Sequence, residues 1–187
     1  MQARLTARLM LRQWRAADGA AFAALNADPE VMRFLGPPLT RAQSAALAER
    51  EAARIDARGF GLFALERRAD GAFLGFTGLA EPAFAAHFTP CVEIGWRLAR
   101  AYWGQGYAAE AARACLELGL GELALPQLVA FTVPANLRSR ALMERLGMRR
   151  DPAGDFGHPR LPPGHPLHLH VLYRLSRGDW QQARRGG

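Results

Sequence analysis

Cysteine is scarce in this chain. Of 187 residues two are cysteine, Cys91 in a strand-like run and Cys115 in a helical one. They form no Cys-x-x-Cys pair, so neither a disulfide framework nor a thiolate metal site is indicated. With no signal-like segment at the start, a reducing cytoplasm is the expected compartment. Long apolar runs are missing too: none approaches the roughly 18 residues that a membrane span needs, so no membrane partner is expected. Neither an internal repeat nor a composition break of the kind that marks a domain boundary is visible. His158, His165, His168 and His170 lie among prolines without cysteine neighbours or helical i, i+4 spacing, which excludes an evident metal motif.

What is present suits a packed globule. Half the residues are hydrophobic (50%), and aromatics are spread along the chain. A chain of this length buries about 70% of its unfolded surface without staples. One domain over residues 1–180 is expected, with a flexible tail at 181–187. The formal charge is +7, carried by arginines such as Arg4, Arg8, Arg12, Arg54 and Arg100. They are dispersed, so no nucleic-acid footprint stands out. A phosphate-bearing cosubstrate fits the charge equally well, and an arginine-rich solvated surface is the plain alternative.

"RLTARLMLRQW" reads as a first strand. Asp18 is placed to cap a short helix through Leu25, and Asp28-Pro29 repeats the start signal with proline at the first helical position. Thr40 and Gln43 make a capping box for a helix to about Arg58, whose Ala45, Ala46, Leu47, Ala52, Ala53 and Ile55 supply an apolar face. "GLFALER" and "AFLGFTGLA" flank Ala69-Asp70-Gly71, a hairpin signal, and "CVEIGWRLA" follows closely. An antiparallel meander therefore occupies the middle of the chain. A helix from Gly106 to about Leu118 is expected to stop at Gly119 and Gly121. "LVAFTV" reads as a buried strand, and Asn136 leads into a helix ended by Gly147. Residues 154–166 read as a long loop before a last strand, "HVLYRL".

Gly104 and Gly106 stand one residue apart at the mouth of that helix. Glycines there let main-chain N–H groups approach a ligand, and the helix N-terminus adds partial positive charge, which together favour phosphate. A tight strand-to-helix turn is the simpler explanation of an isolated pair. A P-loop would need Gly-Lys-Ser/Thr, which is not there. A dinucleotide fingerprint should open a parallel βαβ unit with a carboxylate at the next strand's end, and "LVAFTV" runs instead into Pro-Ala-Asn.

The pair "EIGWRLARAYWGQGYAAEA" and "VPANLRSRALMERLGM" resembles the acyl-CoA core of the GCN5-related N-acetyltransferase (GNAT) superfamily, in the branch that acetylates ribosomal-protein N-termini. The opening "TARLMLRQW" resembles that branch's first strand, so the likeness covers about residues 6–148. One position departs from the superfamily signature: Ala101 stands where Gln or Arg is usual, with Arg100 one place off. The resemblance implies an α/β (α+β) fold with a mixed, mostly antiparallel sheet flanked by helices and split by an acyl-CoA cleft. It implies acetyl-CoA as cosubstrate, no metal, and a primary amine acceptor, either a protein N-terminus or a small molecule, whose pocket the helices between Asp18 and Arg58 and the loop from Gly154 to Pro166 are expected to shape. Homodimers are common among such relatives.

The resemblance also assigns roles. Main-chain groups of Trp96, Arg97 and Leu98 would hold the pantetheine arm, and the amides of Gly104, Gln105, Gly106, Tyr107 and Ala108 the diphosphate. Glu93 would be the general base, provided burial raises its pKa; an ion pair with Arg97 is its structural alternative. Asn136 would orient the arm, or simply cap its helix. Ser139 would assist the leaving sulfur, or be an ordinary first-turn serine. Neither cysteine lies in a motif for an acyl-enzyme, so direct attack in a ternary complex is expected. A non-catalytic acyl-CoA sensor and a nucleic-acid binder are the rival readings.

Overall fold

The computed structural model describes residues 3–186. Eight strands form one sheet in the order β1-β2-β3-β4-β5-β6-β8-β7. The chain divides into two compact units, one running through Leu79 and resuming over Gly95–Ala114, the other comprising Ala80–Ile94 and the chain from Cys115 onward.

In the first unit the opening stretch is a hairpin rather than one strand. β1 (Arg4–Leu5) pairs antiparallel with β2 (Leu9–Arg12). The break falls at Thr6, whose hydroxyl accepts from the Leu9 amide at 3.0 Å and so closes a turn that the hydrophobic alternation hides. β2 pairs with β3 (Leu62–Arg67), and β3 with β4 (Phe73–Ala80), across a turn in which Gly71 takes φ +72°. β5 (Glu93–Leu98) lies beside β4, completing the expected meander. Gly75, at φ +140°, lies so near the Arg97 carbonyl that a Cβ would collide with it.

Three helices cover this unit: α1 (Gly19–Ala27), α2 (Pro29–Met32) and α3 (Arg41–Arg58). Asp28 caps α2 as its Asp-Pro signal predicts, and Thr40 with Gln43 forms the expected box on α3. Asp18 does not cap α1. Its carboxylate instead takes the buried Arg12 guanidinium at 2.7 and 2.8 Å and the Arg15 amide at 2.8 Å. The expected apolar face of α3 holds in part: Ile55 is buried and Leu47 and Ala52 are half-buried, but Ala45, Ala46 and Ala53 are exposed, and Ser44 and Glu51 are buried in their place. The two polar residues go inside because they have partners, Asn26 for Ser44 and Arg54 for Glu51. Phe22, Leu25, Val31 and Phe76 form the core beneath, with Trp14 and Trp103 packed on it.

The second unit is built on β6 (Gln127–Thr132), which runs antiparallel to β8 (Leu169–Ser176) along its whole length. Part of the expected long loop is strand: β7 (Arg149–Gly157) pairs with β8 on both sides of a register shift between Asp151 and Phe156. The proline and glycine at 152 and 154 accommodate the irregularity, and the Asp151 carboxylate accepts from the Gly154 amide at 3.2 Å. Gly147, at φ +82°, ends α5 (Leu137–Arg145) as expected.

α4 (Tyr107–Leu116) does not stop at the glycines; it continues as a π-helical turn over Glu117–Glu122. A Cβ at Gly121 would lie 3.2 Å from the Trp180 ring, so the glycine leaves that ring room. Trp180 belongs to α6 (Arg177–Arg185), which covers most of the stretch expected to be a tail. Ser176 caps it, and Arg184 pairs with Glu117. Among the described residues no helix is long and apolar enough to cross a membrane.

Candidate active site

In the first unit the chain leaves β5, passes a short 3-10 turn, and reaches α4 through Gly104 and Gly106 at φ +73° and +80°. Only glycine adopts that left-handed geometry cheaply at two positions so close together. Among the described residues the amides at 104–108 donate to no acceptor within the protein. A Cβ at Gly104 would meet nothing within 4 Å. A run of unsatisfied donors at the start of a ten-residue helix fits an anion with several oxygens.

Neighbouring side chains fix the turn. The Trp103 indole donates to the Leu98 carbonyl at 2.8 Å, and the Gln105 side-chain Nε2 to the Ala101 carbonyl at 2.8 Å. Arg8, which no local motif ties to the site, donates to the Gln105 carbonyl at 3.0 Å, and its guanidinium lies 4.4 Å from the Tyr107 ring centroid. Glu110 receives Arg8 Nε at 2.6 Å, the Arg8 amide at 2.7 Å and the Thr6 hydroxyl at 2.6 Å. Desolvation raises the Glu110 carboxyl, but these hydrogen bonds outweigh it and the net shift is downward. Arg8, Arg67 and Arg68 with Tyr107 line a recess of about 410 Å³ beside the turn. A contact about a hundred residues apart leaves no local pattern, so nothing in the sequence marks Arg8 beyond its place in the first strand.

The second unit contains Glu93, Asn136 and Ser139. β5 pairs parallel with β6 at Glu93↔Val129, where the Val129 amide donates to the Val92 carbonyl at 3.0 Å. Glu93 retains a little exposure, yet burial pushes its carboxyl up to about 8. Among the described residues it has no hydrogen-bonding or ion-pair partner. The expected alternative, a pair with Arg97, does not form; Arg97 binds Asn26 instead.

Asn136 does cap α5: its Oδ1 accepts from the Ser139 amide at 3.3 Å, and its Nδ2 donates to the Thr132 hydroxyl at 3.0 Å. An amide has a second proton and further lone pairs, so capping leaves it able to meet a ligand. The Ser139 hydroxyl has no partner among the described residues. Burial first, and then the Glu93 charge, push the Cys91 thiol up to about 11, which makes it a poor nucleophile. The Tyr173 hydroxyl is committed to Glu144 at 2.8 Å. His158 and His170 pack among Phe84, Phe131 and Phe156.

A mostly antiparallel sheet with one parallel pair inside it, followed by a bare glycine turn into a helix, defines a class of acyltransferases that use coenzyme A thioesters. Residues 8–149 match the model of the acetyltransferase (GNAT) domain, and the chain belongs to that family. It therefore transfers acetyl groups from acetyl-CoA. The uncharacterized protein YkkB of Bacillus subtilis is 32% identical over 145 residues, 77% of this chain and 83% of that protein. The Aspergillus fumigatus FsC-acetyl coenzyme A-N(2)-transacetylase is 30% identical over 171 residues, 83% of this chain and 68% of that protein. A solved acetyltransferase from Agrobacterium tumefaciens is 30% identical with a TM-score of 0.75, covering 94% of each chain.

Proposed function

We propose that this acetyltransferase acts on a primary amine, by direct attack with both substrates bound, and that Glu93 removes the amine's proton. The observation that carries the reading is the Glu93 carboxyl, raised to about 8 with no cation beside it. A protein N-terminal ammonium has a pKa of about 8, so the two are matched. An ordinary glutamate near 4.3 would be a far weaker base.

Glu93 accepts the proton directly or through a water. The freed amine attacks the thioester carbonyl carbon; the C–N bond forms and the C–S bond breaks, while the nitrogen, positively charged after attack, gives up a second proton that the departing thiolate takes up. A main-chain N–H group of β5 stabilises the charge developing on the carbonyl oxygen. Amides at Gly104, Gln105, Gly106, Tyr107 and Ala108 grip the diphosphate, and Arg8 adds positive charge beside them. Main-chain groups of Trp96, Arg97 and Leu98 hold the pantetheine arm, with Asn136 orienting it. Ser139 donates to the departing sulfur, a minor aid because a thiol near pKa 8.5 leaves readily.

Protein N-termini are the acceptors favoured by the likeness to the ribosomal-protein branch, and we place the enzyme in the cytoplasm as a single acetyltransferase domain, as a monomer or homodimer. The test is free thiol released from acetyl-CoA with a panel of peptides and small amines. Activity should rise through about pH 8. Coenzyme A binding without thiol release for any amine would make the protein a sensor and overturn the reading.

A further inference from the structure

Arg97 is a cation without a counter-charge. Its Nη1 donates to Asn26 Oδ1 at 2.6 Å, and its guanidinium lies 5.2 Å from the Phe76 ring centroid. Nε is buried and has no partner. Among the described residues no carboxylate pairs with it. The contrast within the same unit is direct: the buried Arg12 lies 2.7 Å from Asp18 and 2.7 Å from Glu66. Desolvation without compensation lowers the Arg97 pKa to about 10, the sign of a cation in want of an anion.

The group is also held in one orientation. Asn26 is fully buried, and its Nδ2 donates to the hydroxyl of Ser44, itself 1% exposed, at 3.1 Å. The row Ser44, Asn26, Arg97 thus commits the Nη1 side of the guanidinium to the protein. Nε and Nη2 remain, and that edge is the planar fork that takes both oxygens of one carboxylate. Phosphates of the donor have their own place at residues 104–108. α1 and α3, which carry Asn26 and Ser44, belong to the segment expected to shape the acceptor pocket.

We propose that Arg97 is a specificity residue for the acceptor: its Nε/Nη2 edge receives a carboxylate, and the preferred substrates are amines that bear one. The inference rests on the reading of amine acetylation above. A free amino acid and an acidic peptide N-terminus offer the same group, and the experiment separates them. Serine is compared with serinamide, and a blocked Ser-Asp-Ala peptide with Ser-Asn-Ala, in wild type, Arg97→Gln and Arg97→Lys. Within each pair kcat/KM is taken as a ratio, and the wild-type ratio is divided by the variant's, which cancels both amine basicity and general damage to the enzyme.

For Arg97→Gln that quotient should be about tenfold or more in one pair, which identifies the source of the carboxylate; Arg97→Lys should fall between. Quotients near one in both pairs, with amines still acetylated, would remove Arg97 from specificity and leave amine acetylation standing. A second readout needs no turnover: excess serine or acidic peptide should raise the melting temperature of wild type more than its amide does, and Arg97→Gln should abolish the difference. If no amine is acetylated but that difference appears, the carboxylate site stands and the reaction falls. Equal melting shifts in wild type for acid and amide would overturn the carboxylate site.

Discussion

Glu93→Gln separates the electrostatic argument from the fold. Burial raises the carboxyl from 4.5 to about 8, so in the folded protein it stays protonated over a range in which the unfolded chain has already lost its proton. The stabilisation belongs to the protonated form: it is fully present below about pH 4.5 and is lost as the pH climbs through about 8. At about 1.36 kcal/mol per pKa unit, the loss reaches about 2 kcal/mol at pH 6 and about 4 kcal/mol at pH 8. Residual exposure of Glu93 makes these upper bounds. Glutamine keeps the shape and cannot ionise. The variant's melting temperature should therefore match wild type near pH 4.5 and exceed it by about 10 °C at pH 8, since about 1 kcal/mol moves a chain of this size by 2–4 °C. Differential scanning calorimetry from pH 4.5 to 8.5 reads the difference. In the thiol-release assay the same variant should lose about 100-fold or more in turnover at neutral pH while coenzyme A affinity stays within about twofold. A melting difference that does not change with pH would refute the buried carboxyl, and full activity would take Glu93 out of the mechanism.

Other substitutions probe separate parts. Gly106→Ala puts a Cβ 3.3 Å from Arg8 Nη2 at a φ of +80°; at about 1–2 kcal/mol, calorimetry should show coenzyme A binding about tenfold weaker. Asn136→Ala removes the cap of α5 and should lower stability by about 1 kcal/mol in urea unfolding. Ser139→Ala should lower kcat only a few-fold, because the thiol leaves readily; a loss comparable to that of Glu93→Gln would mean that Ser139 does more. Asp18→Asn leaves the buried Arg12 short of a counter-charge and should cost about 3 kcal/mol, a fall in melting temperature near 10 °C.

Local chemistry carried far along this chain. Asp28-Pro29, the Thr40 and Gln43 box, Asp70-Gly71 and Gly147 each act within a few residues, and each appears in the structure where its pattern put it. The glycine turn was legible for the same reason. Expectations failed where a distant partner overrode local preference. Asp18 forgoes its cap for Arg12 and Arg15, a π-helical turn carries the chain from α4 past Gly119 and Gly121, with Trp180 packed beside Gly121, and α6 forms where a tail was expected.

The sequence by itself determined the central helices and strands, the meander, the family and the bare helix entrance, since hydrophobic period, capping and backbone freedom are properties of short stretches. Tertiary structure alone decided which polar side chains acquire partners. Burial and pairing are sums over neighbours from far along the chain. That is why Glu93, Arg97 and Arg12 look alike as isolated charges, while the folded protein makes the first a raised acid, the second an uncompensated cation and the third a satisfied one.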